Sequence, residues 1–259
     1  MLGFVDVPIV GAGPVGLSLA IELGRRGTAD ELRRVSPMPM SYPANVVFAT
    51  RMNGPPLARF EDSFNCTLAR NDLFAEGGEW MPQYVLEEVL RTHAASLPSV
   101  RISFDTLLES CAPDPDGVTA TLVADDARQA QRCRYLVGAD GAKSLVRKLI
   151  DVKLLGDGSF APNLNLVFRS ETLAALHSHG PAIMYWMVND DVPVLLGPMS
   201  GDGLWYFIAT EIAPGVDPAS IDFAALIRRS TGLDCDIEIV GADPWAAHRL
   251  IAERYRRAA

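Results

Sequence analysis

Nowhere in the chain do about 18 apolar residues run uninterrupted, so no membrane-spanning helix is readable. The N-terminal residues lack the basic start and small-residue cleavage site of a secretory leader. Cysteine is scarce. Cys66, Cys111, Cys133 and Cys235 stand far apart with no CxxC pair, so neither a zinc site nor a disulfide framework is expected, and reduced thiols in a cytoplasm fit better. Basic runs are also missing. The longest is the Arg254, Arg256, Arg257 group in a chain of net charge −9, which argues against a nucleic-acid surface. No GxSxG elbow and no marked carboxylate pair occurs, so nothing points to a catalytic triad. His177 and His179 flank Ser178 without a third ligand and read as loop residues, His93 and His248 as structural; no metal site is expected. Internal repeats and low-complexity tracts are absent. What is present, 49% hydrophobic and 21% charged residues over 259 positions, is the make-up of a folded body with one large domain or two closely joined ones.

The pattern along the chain is mixed. Residues 4–10 form a short apolar run stopping at Gly11, as a buried parallel strand does. From Pro14 to Arg26 the spacing of Val15, Leu19, Ala20 and Leu23 predicts a helix with Gly27 as its stop. Residues 36–60 carry five prolines and predict irregular structure with short strands; Met81 to Ser96 predicts an amphipathic helix. Alternation from Val100 to Val137, broken by Pro-Asp-Pro-Asp-Gly at 113–117, predicts an antiparallel meander, and its last member, Arg134 to Val137, is expected to rejoin the parallel sheet. A short helix is expected at Ser144–Ile150. Beyond Asp151, strands are expected at 163–169, 182–188, 192–196 and 204–210, then a helix from Pro218 to Ser230, capped by Asp217 and ended by Gly232.

Gly11-Ala12-Gly13-Pro14-Val15-Gly16 fits GxGxxG between a strand and a helix. Gly11 permits the tight turn, Gly13 lets a pyrophosphate approach, and Gly16 lets helix pack on strand. The same glycines would suit a turn without a ligand, but the strand and helix around them favour dinucleotide binding. The fingerprint also calls for an acidic residue about 20 positions on, at the end of a second strand. Glu22 falls inside the helix, Asp30 and Glu31 in a polar stretch, and the next acid is Glu61, so the second strand is expected to be missing.

Three segments occur in one family order: Gly-Ala-Gly-Pro-Val-Gly-Leu at 11–17, Pro-Gln-Tyr at 82–84, and Gly-Ala-Asp-Gly-Ala-Lys-Ser-Leu-Val-Arg at 138–147. Together they resemble class A FAD-dependent aromatic hydroxylases, the flavoprotein monooxygenases, in the phenol and hydroxyphenylpropionate hydroxylase branch. The similarity extends through Asn163–Arg169 and Ala182–Met187 to the C-terminus.

The resemblance implies an α/β protein with a Rossmann-like three-layer FAD-binding fold interleaved with a mixed or antiparallel substrate-domain sheet. Residues 1–97 and 132–155 would form an incomplete FAD-binding part, 98–131 a β-meander, and 156–259 the substrate-binding sheet and return segment. It further implies FAD as cofactor, NADPH or NADH as co-substrate, and insertion of one oxygen atom of O2 into a phenolic aromatic substrate; a homo-oligomer is compatible with it. Gly11, Gly13, Pro14, Val15 and Gly16 would face the FAD pyrophosphate, Gln83 the flavin's linker, and Asp140 with Gly141 both FAD and NADPH. Arg147 would grip the nicotinamide cofactor, as a guanidinium can hold a phosphate by two parallel hydrogen bonds. By themselves, Asp140 also reads as a turn or cap residue and Arg147 as a solvated helix face. Tyr185, Trp186, Trp205, Tyr206 and Phe207 would wall an aromatic pocket, or else are plain core.

Family members carry, after the position of Gly27, a second strand and an Arg-containing loop. After a segment like Ala252–Arg256 they carry a second flavin-binding Gly-Asp motif and a helix. Both are expected to be lacking here. Two alternatives therefore stay open: a truncated, non-catalytic fragment, and another FAD-dependent oxidoreductase such as a halogenase or reductase.

Overall fold

A computed structural model describes residues 5–24, 29–64, 66, 78–190, 193–210, 217 and 220–257. In chain order the elements are β1 (Ile9–Val10), α1 (Pro14–Gly24), α2 (Ala29–Val35), β2 (Val46–Ala49), β3 (Pro56–Phe60), α3 (Gln83–Ser96), β4 (Leu107–Asp114), β5 (Gly117–Ala124), β6 (Ala127–Cys133) and β7 (Val137–Gly138). They continue with α4 (Leu145–Leu149), β8 (Leu154–Arg169), α5 (Leu173–Leu176), β9 (Met184–Met187), β10 (Val194–Pro198), β11 (Leu204–Ala209), α6 (Phe223–Thr231) and β12 (Glu238–Ala252). The chain divides into two units, one of Met1–Val35, Gln83–Gly156 and Leu250–Ala259, the other of Ser36–Pro82 and Asp157–Arg249. These borders differ from those expected. Strands β2 and β3 join the later sheet because β2 pairs in parallel with β9, and the meander belongs with the glycine-motif unit.

In the first unit β1 runs parallel to β7, with Ile9 opposite Val137 and Val10 opposite Gly138. Helix α1 packs on α3 through Leu17, Ile21, Leu90 and Ala94. The buried stripe is thus not the expected one, for Val15 is 72% exposed: α1 is apolar nearly all round, so periodicity alone could not choose its inner face. The polar stretch that holds Asp30 and Glu31 is helix α2, with those acids in its first turn and Arg33 and Arg34 in its last. The meander folds as β4-β5-β6. Asp125 and Asp126, with φ of 48 and 60, make the two-residue turn that matches strand twist, and Gly117 (φ 146) brings its Cα against the Cys133 carbonyl.

The second unit is built on a seven-stranded sheet of order β12-β8-β11-β10-β9-β2-β3, antiparallel in its paired registers except for β2 with β9. One face carries Val47, Leu166, Phe168, Tyr185, Leu196 and Phe207 into a core closed by Leu173 of α5 and Leu226 and Ile227 of α6. Each such side chain contributes about 1.5–3 kcal/mol relative to exposure. Helix α6 starts later than expected. Its cap is Asp222, whose carboxylate accepts from Ala225 N at 3.0 Å, and Gly232 ends it at φ 70. A start at Asp222 puts Leu226, Ile227, Ser230 and Thr231 inward. Gly27, Val192 and Pro218, expected as a helix stop, a strand start and a helix start, lie outside the described residues. The strand β12 was not foreseen, and β8 begins nine residues earlier than its expected start at 163.

Candidate functional site

The glycine turn and the Gly138–Gly141 segment come together in the first unit. Parallel pairing of β1 with β7 carries the chain so that Ala139 N donates to Val10 O at 2.7 Å. Gly11 has φ 110, and a Cβ there would sit 2.3 Å from Ala139 O; a Cβ on Gly16 would sit 1.9 Å from Gly11 O. These two positions admit no side chain. Gly13 is the opposite case, since a Cβ there would meet nothing within 4 Å. Its missing side chain therefore serves no neighbour in the fold, which is what close approach by a ligand requires. Pro14 begins α1 and lacks an N–H, while the amides of Val15 and Gly16 lie in the first turn, where no intrahelical acceptor exists. Amides and helix dipole together make a cradle for an anion such as a pyrophosphate.

The neighbouring polar residues are tied into the fold. The Asp140 carboxylate accepts from Ser144 Oγ at 2.5 Å, Leu145 N at 2.7 Å and Val146 N at 3.1 Å, organising the start of α4. Burial opposes its charge, but these hydrogen bonds from Ser144 and the two amides prevail and hold the carboxyl below its ordinary range. Gly141, at φ 73, has open space where a side chain would be. Arg147 donates from Nη1 to Val152 O at 3.0 Å, and its other N–H groups have no partner among the described residues. Gln83 is exposed at the start of α3, its Nε2 donating to Glu87 Oε1 at 2.7 Å.

A dinucleotide fits this unit only in part. The turn suits a pyrophosphate, but β1 has β7 as its one sheet partner among the described residues, and Asp30 and Glu31 lie on α2, ion-paired with Arg33 and Arg34. Among the described residues no strand-end acid is supplied there for a ribose.

In the second unit the aromatic residues separate by strand parity. Tyr185 and Trp205 face the core, 0% and 3% exposed. Tyr185 donates its hydroxyl to Gly180 O at 2.7 Å and accepts from Ala182 N at 2.9 Å, and burial pushes the phenol well above its usual range. Trp186 lies on the other face, partly exposed and stacked on Phe48 with centroids 6.0 Å apart and planes 5° apart, while Phe60 meets Phe48 edge-on. Tyr206 shares that face. Gly197 stands directly opposite it, and the ring lies across the bare Gly197 backbone to donate to Ile183 O at 2.9 Å, with Trp80 tilted over it at 5.8 Å. Phe48, Trp186, Leu195, Tyr206 and Ile208 thus form an apolar second face. An antiparallel sheet with one solvated face is polar there; along this row of residues it is apolar, which makes the face the candidate site in this unit. Phe48 was missed in the sequence, although it follows the same alternation as Trp186. A pocket of about 20 Å³ lined by Tyr42, Cys66, Trp80 and Ile183 has room for a water and not for a substrate.

Among the described residues no group of three or more His, Cys, Asp or Glu could hold a metal ion, and no helix is long and apolar enough to cross a membrane.

A glycine turn at a helix start, joined to an Asp-Gly segment in a mixed α/β chain, is the arrangement of a nucleotide-binding α/β protein. The FAD binding domain family matches residues 46–258, and the chain belongs to that family. The match begins after the glycine turn. Among curated relatives, tetracenomycin B2 monooxygenase-dioxygenase of Streptomyces olivaceus is 32% identical over 191 residues, 71% of this chain and 35% of that protein. Aklavinone 12-hydroxylase of Streptomyces peucetius is 28% identical over 297 residues, 97% of this chain and 60% of that protein. A ternary complex of aklavinone-11 hydroxylase with FAD and aklavinone shares the fold, with TM-score 0.83 at 24% identity over 99% of this chain and 56% of that one. The chain spans about a third of the length of the first of these relatives.

Proposed function

We propose that this chain is the pyrophosphate-binding and substrate-binding part of an FAD-dependent monooxygenase that uses NADPH or NADH and O2 to hydroxylate a phenolic ring in a polycyclic aromatic substrate. The observation that carries the proposal is the second face of the seven-stranded sheet, aromatic and partly exposed around the Phe48–Trp186 stack, in a member of the FAD binding domain family. The relatives named for tetracenomycin B2 and aklavinone support the larger ring system, while a relative named for 2,4-dichlorophenol, 34% identical over 42% of this chain, supports the phenolic ring itself.

Gly11, Gly13, Pro14, Val15 and Gly16 would hold the FAD pyrophosphate, with the first-turn amides as donors. Gln83 would meet the linker and Gly141 would present its backbone to the cofactor, with Asp140 holding that turn in shape. Arg147 would use its remaining N–H groups on the nicotinamide cofactor's phosphate. When bound, FAD supplies the electron transfer and oxygen activation. The chain's own contribution is to lay the ring flat against Phe48 and Trp186 and to keep water from the covered face. Tyr185 and Trp205 act from behind, as core that fixes β9 and β11. We place the protein in the cytoplasm, in keeping with its free cysteines, and a homo-oligomer is compatible with this reading.

The reading is tested by titrating the purified chain with FAD, followed by flavin fluorescence and absorbance. Substrate-dependent NAD(P)H consumption with a phenolic polycycle is then measured, with mass spectrometry of the product. Saturable binding and a product heavier by one oxygen are expected. A product carrying a halogen, or none at all with turnover of NAD(P)H alone, would favour a halogenase or reductase. A non-catalytic fragment is the second reading, favoured by β1 pairing with β7 alone among the described residues; absence of saturable FAD binding would establish it.

A further inference from the structure

Along the register row that carries the Phe48–Trp186 stack, one polar side chain breaks the apolar run. Register runs across the sheet from Phe48 to Trp186, Leu195, Ile208 and then Asn165 of β8. Asn165 is partly exposed, while its chain neighbours Leu164 and Leu166 point into the core. Its orientation is fixed from β12, where Trp245 Nε1 donates to Asn165 Oδ1 at 2.6 Å. An indole N–H can only donate, so the amide oxygen must face Trp245 and the Nδ2 group must face away. That group has two N–H donors and no partner among the described residues.

From Trp186 to Asn165 there are three strand spacings, roughly 14 Å. A single ring stacked at Trp186 does not reach the amide; a fused polycycle lying over Leu195 and Ile208 does. We propose that Asn165, positioned by Trp245, is a specificity residue that donates a hydrogen bond to a keto, quinone or phenolate oxygen on the rim of a planar fused-ring ligand. This rests on the assignment of the face to an aromatic substrate, and adds to it the acceptor oxygen and the residue that reads it.

The test uses two water-soluble probes of the same shape, anthraquinone-2-sulfonate and anthracene-2-sulfonate, which differ in the two carbonyl oxygens. Calorimetric titration of the chain is expected to show tighter binding of the quinone. Asn165→Leu should weaken the quinone roughly two- to tenfold, the worth of one hydrogen bond, and leave the hydrocarbon unchanged. Asn165→Asp, close to isosteric, should weaken the quinone too, and serves if the leucine variant does not fold by circular dichroism. Trp245→Phe, which frees the amide to rotate, should weaken the quinone by a smaller factor and leave the hydrocarbon unchanged. Equal losses for both probes, or an unchanged quinone affinity in the Asn165 variants, would overturn the proposal while leaving the aromatic face intact. Binding of neither probe, or binding of both unaffected by Trp186→Ala, removes the aromatic-face reading itself. Sedimentation run alongside covers one more outcome: a dimer that takes up neither probe gives the face to a second copy and overturns the proposal.

Discussion

Replacing Gly13 and Gly16 by alanine, one at a time, separates the cofactor's need for glycine from the fold's. At Gly16 the new methyl would lie 1.9 Å from Gly11 O and 3.1 Å from its carbonyl carbon. Both obstacles are backbone atoms, so the turn must move, at about 1–3 kcal/mol as for other overpacked sites. At Gly13 the methyl meets nothing within 4 Å, and no positive φ is required there. Its folded-state cost is therefore near zero, and the restricted unfolded chain adds about 0.4–1 kcal/mol of stability. The same methyl occupies the space through which a pyrophosphate would reach the first-turn amides. Losing one charge-assisted hydrogen bond, about 1.5–3 kcal/mol, corresponds to roughly ten- to a hundredfold in FAD affinity. Thermal melting and FAD titration of the wild type and both variants give the comparison. Gly13→Ala should melt at or slightly above the wild type and lose FAD; Gly16→Ala should lose both. Wild-type FAD affinity in Gly13→Ala would refute the assignment of the turn, and a clear drop in its melting point would refute the reading of open space.

Other expectations concern the second unit. Gly197→Ala should destabilise by about 1–3 kcal/mol, because a Cβ there would fall 2.2 Å from Ile183 O and 2.6 Å from the Tyr206 hydroxyl; an unchanged denaturation midpoint would show that Tyr206 moves freely. Asp236 gathers Ser170, Glu171 N and the Thr172 amide and hydroxyl, bonds that hold its carboxyl far below the usual 3.8. Its stabilisation is present above that value and disappears as pH falls through the lower folded-state value, so Asp236→Asn should lower the midpoint at pH 7 and erase part of the acid sensitivity. His177 is held down to about 4 from 6.5 by burial, with the nearby His179 adding to it, and its Nδ1 is buried without a hydrogen-bond partner among the described residues. Between 6.5 and about 4 the unfolded chain takes up this proton and the folded chain does not, so stability is complete above 6.5 and falls as pH is lowered through that window. Melts from pH 7 to 4 should show this slope, and His177→Gln should flatten it; an identical slope in the variant would assign the effect elsewhere.

Local patterns in the sequence were enough for the elements whose signals are local. The strand, glycine turn and helix at 9–24, the helix at 83–96 and the Gly232 stop of α6 each rest on a few neighbouring residues with fixed backbone demands, and so does the meander turn at Gly117. The family was legible for the same reason, since its motifs are short segments in order. Pairing partners and inner faces were not legible. That β2 and β3 join β9 rather than the glycine-motif unit depends on hydrogen bonds between residues more than a hundred positions apart. Asp222 displaced Asp217 as the cap because packing of Leu226 and Ile227 against the sheet set the helix phase. Among the aromatics, period-2 alternation shows that Tyr185 and Trp186 must point oppositely, but which one faces the core was settled by α5 and α6 covering one side of the sheet. The Trp245–Asn165 pair lies beyond sequence reading altogether, for two residues 80 positions apart become neighbours only when β12 settles beside β8. Residue types and spacing determined which local structures form and which cofactor chemistry to look for. Tertiary packing decided which of the two sides of each strand is buried and which is left open, because that choice belongs to the helices that cover one side.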